Sequence, residues 1–132
     1  MLYAILCYNS EEVISTWTKE EDDAVMERLA VVNGRLAEQG KLGPVARLMP
    51  TTTATTLRKS GQGRRLQAGP EPPVVTDGPF AETKEQLLGF YVMNCADLEE
   101  VLAITRELGA ANPGGAYEIR PIALFLPGSG VK

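Results

Sequence analysis

The chain has 132 residues, 44% of them hydrophobic and 23% charged, with a formal net charge of −4. That length suits one domain able to bury a core without disulfides or metal, and the acidic balance argues against a nucleic-acid binder, which carries a basic stripe. Two cysteines, Cys7 and Cys95, and no histidine exclude zinc sites built on His, Ser–His or Cys–His nucleophile pairs, and any imidazole acid–base role.

No apolar run approaches the ~20 residues that span a membrane. The start, Met1-Leu2-Tyr3-Ala4-Ile5-Leu6, is apolar without a basic region before it or a cleavage site behind it. It reads as a first strand rather than a signal peptide, so a cytoplasmic protein is expected. From Leu2 to Tyr8 every side chain is apolar: Leu2, Ala4, Leu6 and Tyr8 point to one face, Tyr3, Ile5 and Cys7 to the other. A strand with no polar alternation is covered on both faces.

Asn9 to Trp17 reads as a connection. Thr18-Lys19-Glu20-Glu21 fits a capping box. The helix that follows carries Val25, Leu29, Val32 and Leu36 at helical spacing, with Met26 and Ala37 beside them, and Gly40 marks its stop. Asp22, Asp23 and Glu27 invite a metal reading, but acidic residues in a first turn are explained by the helix dipole.

Leu42 to Met49 is the next strand, interrupted by Pro50, and the β-branched stretch Thr51 to Leu57 reads as strand again. Ser60-Gly61-Gln62-Gly63 is a turn, and Leu66 to Pro73 a loose connection. Arg58, Lys59, Arg64 and Arg65 gather around a hairpin tip, as a solvated face or an anion site. Gly61-Gln62-Gly63 is no phosphate loop, since neither Lys-Ser/Thr nor a helix follows.

Val74-Val75-Thr76 is a short strand leading into Asp77-Gly78-Pro79, a turn with a mechanism. Asp bonds the backbone two residues on, Gly permits positive φ and Pro fixes its own. Glu82 to Gln86 is one polar turn. Leu87 to Cys95 is the most apolar strand and, like the first, has no solvent face. Asp97-Leu98-Glu99-Glu100 is a second capping box; Leu98, Val101, Leu102, Thr105 and Leu108 form the stripe of a helix ended by Gly109. Asn112 to Gly115 is a turn, and Ala116 to Leu126 contains the last strand, in which Tyr117 and Ile119 alternate with Glu118 and Arg120.

The order is β-α-β, an inserted β-hairpin region, then β-α-β. It predicts an α+β ferredoxin-like sandwich, a four-stranded antiparallel sheet with both helices on one face. Residues 1 to 126 form one domain, with 127 to 132 a flexible tail. The two central strands then leave apolar residues open on the helix-free face, an area rarely exposed on a monomer. A homodimer with facing sheets is therefore expected. Cys7 and Cys95, on antiparallel neighbours, fall far apart, which disfavours a disulfide.

The stretch Asp77-Gly78-Pro79-Phe80-Ala81-Glu82-Thr83-Lys84-Glu85-Gln86-Leu87-Leu88-Gly89-Phe90-Tyr91 resembles the signature of the DGPF branch of the YCII-related (YciI-like) family. Met1 to Leu6, Thr53-Ala54-Thr55-Thr56-Leu57-Arg58 and Glu118-Ile119-Arg120-Pro121 agree, so the resemblance covers roughly residues 1 to 124. It implies a dimeric α+β barrel. Members are often encoded beside extracytoplasmic-function sigma factors, which implies a possible regulatory partner, and relatives include a dehydrochlorinase. The His/Asp pair proposed as catalytic in the YciI branch cannot be carried over to a chain without histidine.

Two readings of the motif stand. In one, Asp77 caps a turn, Phe80 fills the core, and Glu82, Lys84 and Glu85 are a solvated turn. In the other, the motif rims a pocket between the two sheets of a dimer. There Asp77 or Glu82 acts as general base and Lys84 or Arg120 holds an anionic group. Glu118 and Arg120 either face solvent or line that pocket as a pair, joined by Arg47. Tyr8, Trp17 and Tyr91 supply aromatic walls, or pack in the core. The first hypothesis is thus a small-molecule enzyme of lyase, isomerase or dehydrohalogenase type, acting on a small organic acid with no metal or organic cofactor. The second is a non-enzymatic module that meets a protein partner.

Overall fold

The computed structural model describes residues 1–59 and 72–130. The expected turn at Ser60–Gly63, the basic pair Arg64 and Arg65, the start of the connection that follows, and the last two residues of the tail lie outside them. The described chain forms two compact units, residues 1–48 with 85–132, and residues 49–84. Among the described residues, no helix is long and apolar enough to cross a membrane.

The first unit is built on a four-stranded antiparallel sheet. Its strands are β1 (Leu2–Asn9), β2 (Leu42–Arg47), β5 (Gln86–Asn94) and β6 (Ala116–Pro121), in the order β2-β5-β1-β6. With the helices between them this is the ferredoxin-like α+β arrangement, and the all-apolar strands β1 and β5 are the central pair. Cys7 stands opposite Gly89 and Leu2 opposite Asn94, so Cys7 and Cys95 lie towards opposite ends of the sheet, and both thiols are free.

Helix α2 (Lys19–Glu38) starts on the expected capping box: the Glu21 amide donates to Thr18 Oγ1 at 3.1 Å, and the Thr18 amide to Glu21 Oε1 at 3.3 Å. It ends before Gly40, whose φ of +71° an L side chain rarely adopts. Helix α3 (Leu98–Ala111) forms only the Asp97 half of its box, the Glu100 amide donating to Asp97 Oδ1 at 2.9 Å. The Glu100 carboxylate is instead held by Lys41 Nζ at 3.5 Å. The helix runs past Gly109 to Ala111, and its buried stripe is Val101, Ile104, Thr105, Leu108 and Ala111. Leu98, at the first position, stays 53% exposed. The connection after β1 contains a further short helix, α1 (Glu11–Ile14), capped by Ser10.

Both long helices pack on the sheet face that carries Tyr3, Ile5, Tyr91 and Met93, and these residues with Leu36, Val101 and Leu108 make the core. Ile5, Met93, Val101 and Leu108 are wholly buried. At ~25 cal/mol per Å² of apolar area removed from water, this layer supplies most of the driving force for folding.

The second unit carries β3 (Thr55–Arg58) and β4 (Val74–Asp77), an antiparallel pair in which Thr55 faces Asp77 and Leu57 faces Val75. Thr51–Thr53 is a 3-10 turn rather than strand, because Pro50 at its cap lets the Thr53 amide fold back onto the Pro50 carbonyl at 2.9 Å. The Asp77-Gly78-Pro79 turn is fixed by Gly78: its φ is +103°, its amide donates to the Ala54 carbonyl at 2.7 Å, and its carbonyl accepts from Thr56 Oγ1 at 2.8 Å. Phe80 does not fill a core. It is 71% exposed, with the Arg58 guanidinium 5.1 Å above its ring, a cation–π contact worth about 0.5–1 kcal/mol at an exposed site.

Candidate functional site

The register of the first unit's sheet places Arg47, Gly89, Cys7 and Tyr117 in one row across β2, β5, β1 and β6. The next row is Val45, Tyr91, Ile5 and Ile119. Gly89 has no side chain to fill the centre of its row. It is also a position where a Cβ would collide with the Ala46 carbonyl oxygen, so glycine there is what lets β2 approach β5 closely. Beside it the β1–β5 register slips between Cys7 and Tyr8, a bulge that re-aims the end of β1.

Above this row, under the first turns of α2, lies a cavity of about 250 Å³. Its liquid equivalent is roughly eight water molecules at ~30 Å³ each. Its body is apolar and aromatic, with Trp17, Met26, Leu29 and Tyr117 among the walls. Arg47 and Asp22 are the cation and the carboxylate of the lining. They are joined, Arg47 Nη2 lying 3.3 Å from Asp22 Oδ1, while Nη1 reaches Met26 Sδ at 3.5 Å. The pair is part-exposed, at 59% and 35% of the side-chain surface, so a ligand can reach the guanidinium from solvent. Arg47 retains N–H donors beyond these two contacts, in the planar fork that suits a carboxylate.

The floor is polar but uncharged. Burial pushes the Cys7 thiol up to about 11. Burial also raises Tyr91, reinforced by Cys7 and opposed by a hydrogen bond with Asn33. Tyr117 is raised by burial and then by its neighbours Cys7 and Tyr91. All three keep their protons at neutral pH and present S–H and O–H groups. Two further lining residues, Asn33 on α2 and Asn112 after α3, each bury a side-chain Oδ1 that meets no hydrogen-bond donor among the described residues.

The expected site residues thus divide. Arg47 and Tyr91 line the cavity, as do Tyr8 and Trp17. Arg47 does not join Glu118 and Arg120. It turns to α2, whereas Glu118 and Arg120 stand opposite Leu6 and Ala4 on the helix-free face. There they pair at 3.9 Å and remain 52% and 69% exposed. The cavity is likewise on the helix side of the sheet, not on the face from which a dimer interior would be built. Asp77, Glu82, Lys84 and Phe80 belong to the second unit and are exposed.

Asp22, Asn33 and Asn112 escape the sequence pattern. Asp22 reads as a dipole-favoured first-turn acid, which it also is. Asn33 does leave a signal: it stands four residues after Leu29 and three before Leu36, on the buried stripe, where an amide needs a reason. Asp23, by contrast, pairs with Lys19 at 3.5 Å in solvent, so the Asp22-Asp23 run has no common target.

The model of the YCII-related domain matches residues 1–126. The chain belongs to the YCII-related family. This YCII-related protein is also 58% identical over 129 residues to an uncharacterised protein of Rhizobium meliloti (strain 1021), the match covering 97% of each chain. The motif stretch from Asp77 to Gly89 therefore has a divided role in this YCII-related protein. Its first half shapes the exposed turn of the second unit, and its last residue leaves the gap in the sheet row on which the cavity rests.

Proposed function

We propose that this YCII-related protein binds a small organic acid in the helix-side cavity, with Arg47 taking the carboxylate. The observation that carries the reading is the Arg47–Asp22 pair, the charged groups of an otherwise uncharged cavity. An anion entering beside Asp22 competes for the guanidinium and leaves the aspartate free to accept a proton from the carbon or oxygen next to the bound carboxylate. Geometry supports that role in a lyase- or isomerase-type step, since general-base catalysis needs hydrogen-bond reach before it needs a tuned pKa. The protonated Tyr91, Tyr117 and Cys7 supply neutral donors to developing charge.

A thermal-shift screen of small organic acids tests the binding. Wild type is stabilised in proportion to ligand concentration, and Arg47→Ala loses the effect. A panel that stabilises neither protein, or both equally, would sink the reading. Proton transfer is followed separately as deuterium uptake from D2O into a bound 2-oxo acid. Uptake depends on Asp22 and vanishes in Asp22→Asn if the assignment holds.

A homodimer is the second part of the proposal. Leu6 and Phe90 pair on the helix-free face, as do Ala4 and Val92; Val92 is already buried within the chain, and a second copy would cover what remains of the half-buried Ala4, Leu6 and Phe90. Light scattering at micromolar concentration gives a dimer mass in this reading; a stable monomer contradicts it.

A further inference from the structure

The register that places Arg47 and Tyr117 in one row also fixes how far apart they stand. From β2 across β5 and β1 to β6 there are three strand spacings of ~4.8 Å, which separates their backbones by about 14 Å. Between them the row holds Gly89, which has no side chain, and Cys7, which has a short one. The row is a shallow trough with a long side chain at each end. Arg47 brings a cation to one end. Tyr117 brings a ring to the other, and it turns to the helix side: its Cε2 lies 3.6 Å from where a Cβ on Gly109 of α3 would stand.

Aromatic residues are concentrated around this trough. The only tryptophan of the chain, Trp17, and three of its four tyrosines, Tyr8, Tyr91 and Tyr117, line the cavity. Tyr91 belongs to the buried core. Trp17 and Tyr117 pack against the core yet stay only half-buried, so each keeps ring surface that the core does not use. Such a surface favours another ring over a saturated group of the same size, because the quadrupoles of two rings attract in offset or edge-to-face contact. The floor at Gly89 adds room for a flat group to approach the backbone.

We propose that the cavity takes an aryl-alkanoic acid, its carboxylate on Arg47 and its flat ring over Gly89 and Cys7 towards Trp17 and Tyr117. The inference rests on the organic-acid reading and deepens it. Arg47 supplies affinity for acids in general. The length of the trough calls for a short chain between carboxylate and ring, and the half-buried rings choose an aromatic group over a saturated one.

The test compares 3-phenylpropanoate with 3-cyclohexylpropanoate by calorimetric titration. The saturated acid has the same carbon skeleton and the more hydrophobic end, so a cavity that is merely apolar binds it at least as tightly. The wild-type protein binds the phenyl acid about threefold to tenfold tighter, the size of one aromatic pair. In Trp17→Leu, and independently in Tyr117→Leu, that preference falls towards unity, while Tyr117→Phe keeps it. Circular dichroism melts verify that each variant is folded, and the wild-type comparison stands without them. A saturated acid bound as tightly by the wild type, or a preference that survives both leucine substitutions, overturns the ring assignment and leaves the organic-acid reading intact. If neither acid binds at millimolar concentration, both readings fall.

Discussion

The two ends of one sheet face, covered by the same helices, have opposite characters. At one end Tyr3 and Met93 pair across β1 and β5 beneath Leu36, Val101 and Leu108, and the layer is filled. At the other, four residues along each strand, the paired residues are Cys7 and Gly89, and the space above them is open. The same strands run through both ends, so strand order alone does not make the cavity. Side-chain volume does, together with a bulge that lets β1 turn away. The filled end holds the fold, and the open end is where burial has been given up for a site.

That contrast can be broken most forcefully from the filled end. Leu108 is wholly buried, so Leu108→Ala should lose about 2–5 kcal/mol in urea unfolding. Met26, at the open end, is 44% exposed, and Met26→Ala should lose under about 1 kcal/mol. Equal losses would mean that both ends are packed alike.

Gly89→Ala sharpens the comparison from the cavity side. The added Cβ runs into the Ala46 carbonyl, which belongs to backbone and cannot swing away. A cost of about 1–3 kcal/mol is expected, with backbone amide shifts centred on Ala46 and Arg47. A variant as stable as wild type would show that β2 is free to retreat.

Arg47→Ala separates stability from binding. The Arg47–Asp22 pair is part-exposed, so its loss should change stability by under about 1 kcal/mol, while acid binding weakens at least tenfold. A fall in stability as large as that of Leu108→Ala would make the arginine a structural residue.

A pH dependence confined to alkaline conditions, and absent at neutral pH, completes the comparison. The Cys7 pKa rises from 9.0 to about 11 on folding, and those of Tyr91 and Tyr117 rise with it. A raised folded-state pKa gives stability that is complete below the unfolded value and lost above it. Stability should therefore be level up to pH 9 on this account and decline through about 11. Alkylation of Cys7 by iodoacetamide should be slow at neutral pH for the same reason. Rapid alkylation there would put the thiol outside the buried floor.

Much of the filled end was legible in the sequence. Unbroken apolar runs mark β1 and β5 as central strands, Thr18 and Asp97 announce their helices, and the β-α-β repeat selects the topology. The open end was not, because it depends on register. Only the pairing of Arg47 with Gly89 and of Gly89 with Cys7 brings a cation, a gap and a thiol into one row. Arg47 and Tyr91 stand out as candidates, but the alternation of a strand does not say which face a helix will cover. Asn33 was readable in principle as an amide on an apolar stripe. The charges of the motif cluster at Asp77, Glu82 and Lys84, which are exposed in the second unit. The residue of that stretch with the clearest structural consequence for the cavity is its glycine, Gly89.

The most direct test of the cavity as a binding site is an amide-resolved NMR titration of the full-length protein with 3-phenylpropanoate. The predicted result is saturable shifts at Cys7, Asn33, Arg47, Gly89 and Asn112, around the helix-side cavity. Shifts confined to Ala4, Leu6, Glu118 and Arg120 on the helix-free face, or none at millimolar ligand, would contradict it.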